Sequence, residues 1–265
     1  MRADLLNRAT DLKVIPTLNT IIAKAFAILG DRNSSFADLS EVIKYDHAIS
    51  SKVISIANSA FYSRGIEIFS LQRAMINIGF EEVKGIVMCL LFMENILKQL
   101  KLKEEDLFAL WHHSVYVASA AKILSEKTLI EDPQKAYTAG LFHDLGKIVF
   151  YMNGKEYAEM VKEAEVQGKS IVRMETEHFG IDHQEIGHAI SIKWKLPLEF
   201  SNVMRHHHED AKGAQYESLM KLVRTADRFS GSPNSATDRE SFILLKEKDM
   251  IAKEMENIMN ILRLE

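Results

Sequence analysis

The chain has 265 residues, of which 47% are hydrophobic and 26% charged, with a formal net charge of −4. That length supports one large domain or two small ones with an ample core, and the charge balance excludes the basic footprint of a DNA- or RNA-binding protein. The longest apolar run, "IVMCLLFM" (86–93), is too short to span a bilayer, so no membrane partner is expected.

Cys89 is the single cysteine, which rules out an intrachain disulfide and favours a reducing compartment. The opening "MRADLLNRATDLKVIPTLN" lacks the apolar centre of a signal peptide. Together these predict a cytoplasmic protein.

With 4 prolines and 12 glycines, long stretches run unbroken, and most carry a helical rather than an alternating period. An all-α fold follows. The first helix that stands out is 18–29, "LNTIIAKAFAIL". Polar turns at 30–35 and 62–70 then separate further helices, and 81–106 reads as a helix running into a charged junction. The boundaries predicted are an N-terminal helical part over 1–105, a helical core over 106–230, and a linker with a C-terminal amphipathic helix over 231–265. Of the ten histidines only His47 precedes residue 112, so the chemistry is expected in the core.

In the helix 107–124, Leu110, His113, Val117, Ala120 and Leu124 share one face. His113 therefore interrupts an apolar stripe, while His112 points about 100° away, beside Phe108 and Tyr116. In the next segment, "AYTAGLFHDLGKIVFY" (136–151), His143 and Asp144 sit in an apolar surface of small residues, with Lys147 one turn on. A buried carboxylate is costly unless it is paired or binds a metal. A satisfied His–Asp hydrogen bond in a core is the plain alternative.

Further along, His183 begins a helix and is equally compatible with exposure. In "LPLEFSNVMRHHHED" (196–210), His207 shares a face with Phe200 and Met204, and His208 lies on the neighbouring one. A solvated helix end accounts for the same run, His206 fitting that reading best. Asp227 shares a face with Met220 and Val223, although pairing with Arg224 or Arg228 is an equal account. Taken together, five helices bring His or Asp to an inward or groove-edge face. Imidazole and carboxylate suit divalent Mn, Fe, Co, Ni or Zn, and the scarcity of thiolate disfavours a structural zinc.

The order of His113 in "WHHS", His143-Asp144 in "HDLGK" and Asp227 in "TADRF" resembles the HD superfamily of metal-dependent phosphohydrolases. The resemblance implies that these four hold one ion and that His183, His207 and His208 complete a second. It also implies that Asp144 and Lys147 are catalytic, Lys147 lying close to bound phosphate. The stretch 45–83, with "NSAFY" and "AMINIG", and "FGIDHQEIGHAISIKWKLP" (179–197) resemble the HDOD branch over roughly residues 10 to 230. His47 stands where that branch usually has proline, and "HHHEDAKGAQYES" lacks the GYP signature of the cyclic-di-GMP-hydrolysing branch.

The branch implies a signalling role through a protein partner of the N-terminal helices, with a nucleotide or phosphate ligand at the core. The alternative is an active phosphohydrolase or phosphodiesterase. Asn58, Phe61, Tyr62 and Arg64 are the expected partner surface, with an equal alternative in which "NSAFY" caps a helix and buries its two aromatics between the halves.

Overall fold

The computed structural model describes residues 1–10, 24–25, 27–28, 31, 33–44, 46–59, 62–63, 65–95, 104–152, 155–210, 212–232 and 236–262. Among these, every regular element is a helix. The helix expected over 18–29 lies almost entirely outside the described residues, as do Phe61 and Arg64.

The N-terminal helices are α1 (Arg2–Thr10), α2 (Phe36–Ile43), α3 (His47–Ala57), α4 (Leu71–Ile78) and α5 (Phe80–Asn95). The core follows with α6 (Glu104–Thr128), α7 (Pro133–Phe142), α8 (Lys147–Tyr151), α9 (Lys155–Gln167), α10 (Ile171–Phe179), α11 (His183–Lys193), α12 (Leu198–His206) and α13 (Glu217–Gly231). The last two are α14 (Arg239–Lys246) and α15 (Lys248–Leu262). The single C-terminal helix read from the sequence is thus two, separated at Glu247, where the backbone leaves helical geometry at φ −97°, ψ 12°. Glu247 there pairs with Lys127 of α6 at 3.0 Å.

Seven of the fifteen described helix starts follow from local chemistry. A Ser or Asp side chain accepts an otherwise unpaired first-turn N–H at Ser35, Asp46, Ser70, Asp132, Ser170, Asp182 and Asp238. Pro133 adds a preset first turn to α7.

The long helix α6 is the axis of the core: α7, α13, α14 and α15 all pack on it. Helix α12 packs on α7, α11 and α13, and the short α8 lies against α11. Two glycines set how closely these helices approach. A Cβ on Gly140 would lie 2.8 Å from the Ala118 Cα, so only glycine lets α7 meet α6 there. A Cβ on Gly146 would lie 1.9 Å from the His183 carbonyl oxygen, which locks the start of α8 against α11. The N-terminal part reaches the same place: α1 packs on α8 and α11, and Arg2 bonds Glu185 (3.0 and 3.1 Å) and the Gly180 carbonyl (2.7 Å).

Candidate metal centre

His143 and Asp144 lie in a turn between α7 and α8 and not inside a continuous helix, which corrects the reading from the sequence. The i+3 bonds Leu145 N to Phe142 O (3.0 Å) and Lys147 N to Asp144 O (2.9 Å) tighten the chain there. The Gly140 carbonyl faces the His143 Nδ1 at 2.7 Å. Adjacent side chains that would diverge on a helix are turned to one centre.

All seven expected ligands converge. His113, His143 and Asp227 form one group, and Asp144, His183, His207 and His208 the other, each offering ligand atoms within 4.8 Å of one another. Asp144 joins them. Its Oδ2 lies 3.2 Å from His113 Nε2 and 3.3 Å from His143 Nε2. Its Oδ1 lies 3.3 Å from His183 Nε2 and 3.5 Å from His207 Nε2. Asp227 Oδ1 completes the first group at 3.3 Å from His113 Nε2, and its Oδ2 lies 3.5 Å from His208 Nδ1.

Tautomers decide what these atoms offer. The Nδ1 of His143 faces the Gly140 carbonyl, that of His207 the Val203 carbonyl at 3.1 Å, and that of His183 the Glu175 carboxylate at 2.7 Å. Each acceptor holds the ring proton on Nδ1. His113 Nδ1 faces the Ser230 hydroxyl at 3.3 Å, whose own proton goes to the Asp227 carbonyl. With Nδ1 so engaged, all four rings turn Nε2 inward, the arrangement that metal-bound histidines use. Nε2 atoms of His113 and His143, and of His183 and His207, face each other at 3.3 Å. The Asp144 Oδ1, fully enclosed, has no hydrogen-bond partner. Ring nitrogens facing one another around an orphan carboxylate oxygen could hold a cation, and the donor set fits a divalent transition metal.

The metal-free electrostatics point the same way. Burial opposes charge on His143, yet Asp144 and Asp227 raise its pKa to about 10; His113 is raised against burial by the same carboxylates. Burial and then the neighbouring imidazoles push His207 down to about 4 and His208 to about 2. Asp144 and Asp227 are held well below the carboxylate range, against burial, by the histidines and, for Asp144, Lys147. Protons on His113 and His143 thus stand in for the missing positive charge.

These shifts predict a stability maximum for the chelator-treated chain near pH 6.5, the unfolded value of histidine (about 6.5). His113 and His143 have raised folded values, so their contribution is complete below that pH and drains away as pH rises towards about 10. His207 and His208 have lowered values, so the unfolded chain alone takes up their protons as pH falls from there, and stability falls with it. Urea midpoints measured at pH 5, 6.5 and 8.5 are expected to peak at the middle value. A monotonic trend contradicts the assignment.

Lys147 bonds Asp144 Oδ2 at 2.5 Å and keeps 12% of its side chain exposed, so it sits at the edge of the centre with its ammonium turned in. His112 stays outside, beside Phe108 at a ring distance of 5.8 Å, and His206 pairs with Glu209 at 3.0 Å. Arg224 pairs with Asp210 and leaves Asp227 to the histidines. Of the expected partner surface, Asn58 is spent internally: its amide bonds the Ile54 and Ile68 carbonyls and accepts from Ile68 N at 2.8 Å. Tyr62 donates to Glu82 at 3.3 Å.

Three supporting residues escaped the sequence reading. Glu175 and Ser230 touch candidate ligands, and Tyr157 touches Glu175. Glu175 was legible in principle, since it shares a face with Ile171, Val172 and the buried Phe179 and so interrupts an apolar stripe, as Asp227 does on its own helix.

Comparison with known proteins follows from this geometry. The chain matches the HDOD domain model over residues 15–210. Its fold is that of an HDOD domain protein of unknown function from Geobacter sulfurreducens, with 22% identity, a TM-score of 0.76 and 99% of each chain covered. A candidate signal transduction protein from Marinobacter aquaeolei VT8 superposes with TM-score 0.80 at 18% identity, over 98% of this chain and 64% of that one. A candidate phosphohydrolase from Shewanella amazonensis SB2B gives 0.70 at 22% identity, covering 98% of both. An uncharacterized protein of Treponema pallidum (strain Nichols) is 24% identical over 86% of this chain, which spans 44% of that relative's length.

Proposed function

We propose, from the premise that this chain belongs to the HDOD domain family, that it is a signal-transduction module whose core holds one or two divalent transition-metal ions. The observation that carries the reading is the buried Asp144 Oδ1, without a hydrogen bond, facing the lone pairs of His183 and His207. His113, His143, Asp144 and Asp227 would hold one ion, and Asp144, His183, His207 and His208 the other, with Fe, Mn, Ni, Co or Zn as suitable metals.

Signal transfer has a physical route. Helix α1 packs on both α8, which carries Lys147, and α11, which carries His183, so a partner that shifts the N-terminal helices loads the centre directly. The partner is a protein, and a nucleotide or phosphate ligand completes the input. No described helix is long and apolar enough to cross a membrane, and a net charge of −4 gives nucleic acid no footprint.

A second reading, a metal-dependent phosphohydrolase or phosphodiesterase, is favoured by one observation: the ligand set is complete and Lys147 stands at its edge. When bound, the metal supplies an activated water and offsets phosphoryl charge. Lys147 would orient and neutralise the phosphate, leaving its Asp144 contact to do so. Asp144 holds the two ligand groups together.

Metal analysis of untagged protein, followed by a phosphodiester and nucleotide screen, tests both readings. Well under one ion per chain after growth in supplemented medium sinks them. Hydrolysis that disappears with Lys147→Ala selects the second. His113→Ala is expected to lower metal content by about one ion and His112→Ala to leave it intact, because only His113 reaches Asp144 and Asp227. Equal losses from the two variants contradict this assignment.

A further inference from the structure

The two ligand groups are supported unequally. Behind His183 stands Glu175, completely buried, with both oxygens engaged. Its Oε2 accepts from His183 Nδ1 at 2.7 Å and from the His183 backbone N–H at 2.9 Å. Its Oε1 accepts from the Tyr157 hydroxyl at 2.5 Å. Tyr157 is itself buried and stacked on Phe150, at a ring distance of 4.9 Å. The carboxylate therefore has one position. Among the described residues its ion-pair contact is the His183 ring, and the Lys147 ammonium feels its charge from farther off.

Nothing comparable supports the other group. The Nδ1 of His143 meets a neutral carbonyl, and that of His113 a neutral hydroxyl at 3.3 Å. Exposure does not separate the groups: His113 keeps 29% and His208 28% of the side chain exposed, while His143, His183 and His207 are sealed. A carboxylate behind an imidazole fixes its tautomer and raises its basicity more than a neutral acceptor does, and such partners are worth about 10- to 100-fold in metal affinity. The Glu175 side also offers three imidazoles, the other two.

We infer that Glu175, held by Tyr157, is a positioning residue that makes the His183–His207–His208 position the tighter of the two metal positions, so that the centre loads in sequence. A buried carboxylate is costly unless compensated, and a metal on His183 Nε2 would add compensating charge through the ring that Glu175 directly contacts. The His113 side, whose imidazoles have only neutral partners on Nδ1, then takes the second, weaker ion. The inference rests on the metal-binding reading above.

Co²⁺ titration of the chelator-stripped full chain, followed by calorimetry and visible absorption, tests it. Wild type is expected to take up two equivalents with separated affinities. Glu175→Gln should weaken the tight equivalent about 10- to 100-fold, and Tyr157→Phe should weaken the same one less. In a His113→Ala background the tight equivalent remains and still falls with Glu175→Gln. In a His207→Ala background Glu175→Gln should leave the remaining equivalent nearly unchanged.

A Glu175→Gln protein whose tight equivalent stays within twofold of wild type overturns the inference alone. So does an equal loss in both backgrounds. If Glu175→Gln fails to fold by circular dichroism, Tyr157→Phe decides, and an unchanged tight equivalent in that variant overturns the inference. A wild type that takes up no Co²⁺ overturns the metal reading and this inference with it.

Discussion

Replacing Asp144 by asparagine is expected to empty both metal positions at once. One oxygen of this carboxylate faces His113 and His143, and the other faces His183 and His207. The amide keeps the shape and loses the charge, and its NH₂ would present protons to lone pairs or to the Lys147 ammonium. Metal analysis should read close to zero ions per chain. Asp227→Asn is the contrast: its Oδ1 belongs to the first group alone, so about one ion should remain. The same Asp144 variant should destabilise the metal-free chain by about 3 kcal/mol, the scale for breaking one partner of a buried pair, because Lys147 loses its ion-pair partner at 2.5 Å. Urea unfolding in the presence of chelator measures it. Two ions retained by Asp144→Asn would refute the bridging role.

Gly146→Ala is expected to do comparable damage without touching a ligand. Its φ of −63° suits any residue, so the harm is steric: the added methyl would sit 1.9 Å from the His183 carbonyl oxygen and 2.7 Å from the Gly187 nitrogen. Backbone atoms cannot swing aside as a side chain can. Helix α11 must withdraw from α8, carrying His183 away from Asp144. Overpacking of this kind costs about 3 kcal/mol at the upper end of its usual range, and the ion on the His183 side should be lost with it. Gly231→Ala, at a position with nothing within 4 Å, should leave metal content and melting temperature unchanged. A Gly146→Ala protein with native stability and two ions would show that the contact relaxes freely.

Residues acting through local chemistry were legible from the chain. The helical class follows from apolar spacing, and the helix starts at Asp132 and Asp182 from side chains that reach their own first turn. The inward phase of His113 and outward phase of His112 follow from 3.6 residues per turn. Polar residues on apolar stripes picked out the side chains that converge, and the family resemblance grouped them.

Tertiary structure decided the rest. The turn at His143-Asp144 could not be read from periodicity, because its neighbours are as apolar as those of a continuous helix and the departure depends on α11 seated against Gly146. Asn58 looked like surface because an amide in a polar turn is ambiguous until the chain ten residues on, at Ile68, folds back to it. Glu175 came to His183 only through packing that buries α10 beside α11, and its charge acquired meaning there. The sequence by itself determined which side chains were available to bind a metal. Their tautomers, the place of Asp144 between the two groups and the unequal support of those groups arise from contacts between residues distant along the chain, whose energies depend on burial and on which proton each neighbour leaves free.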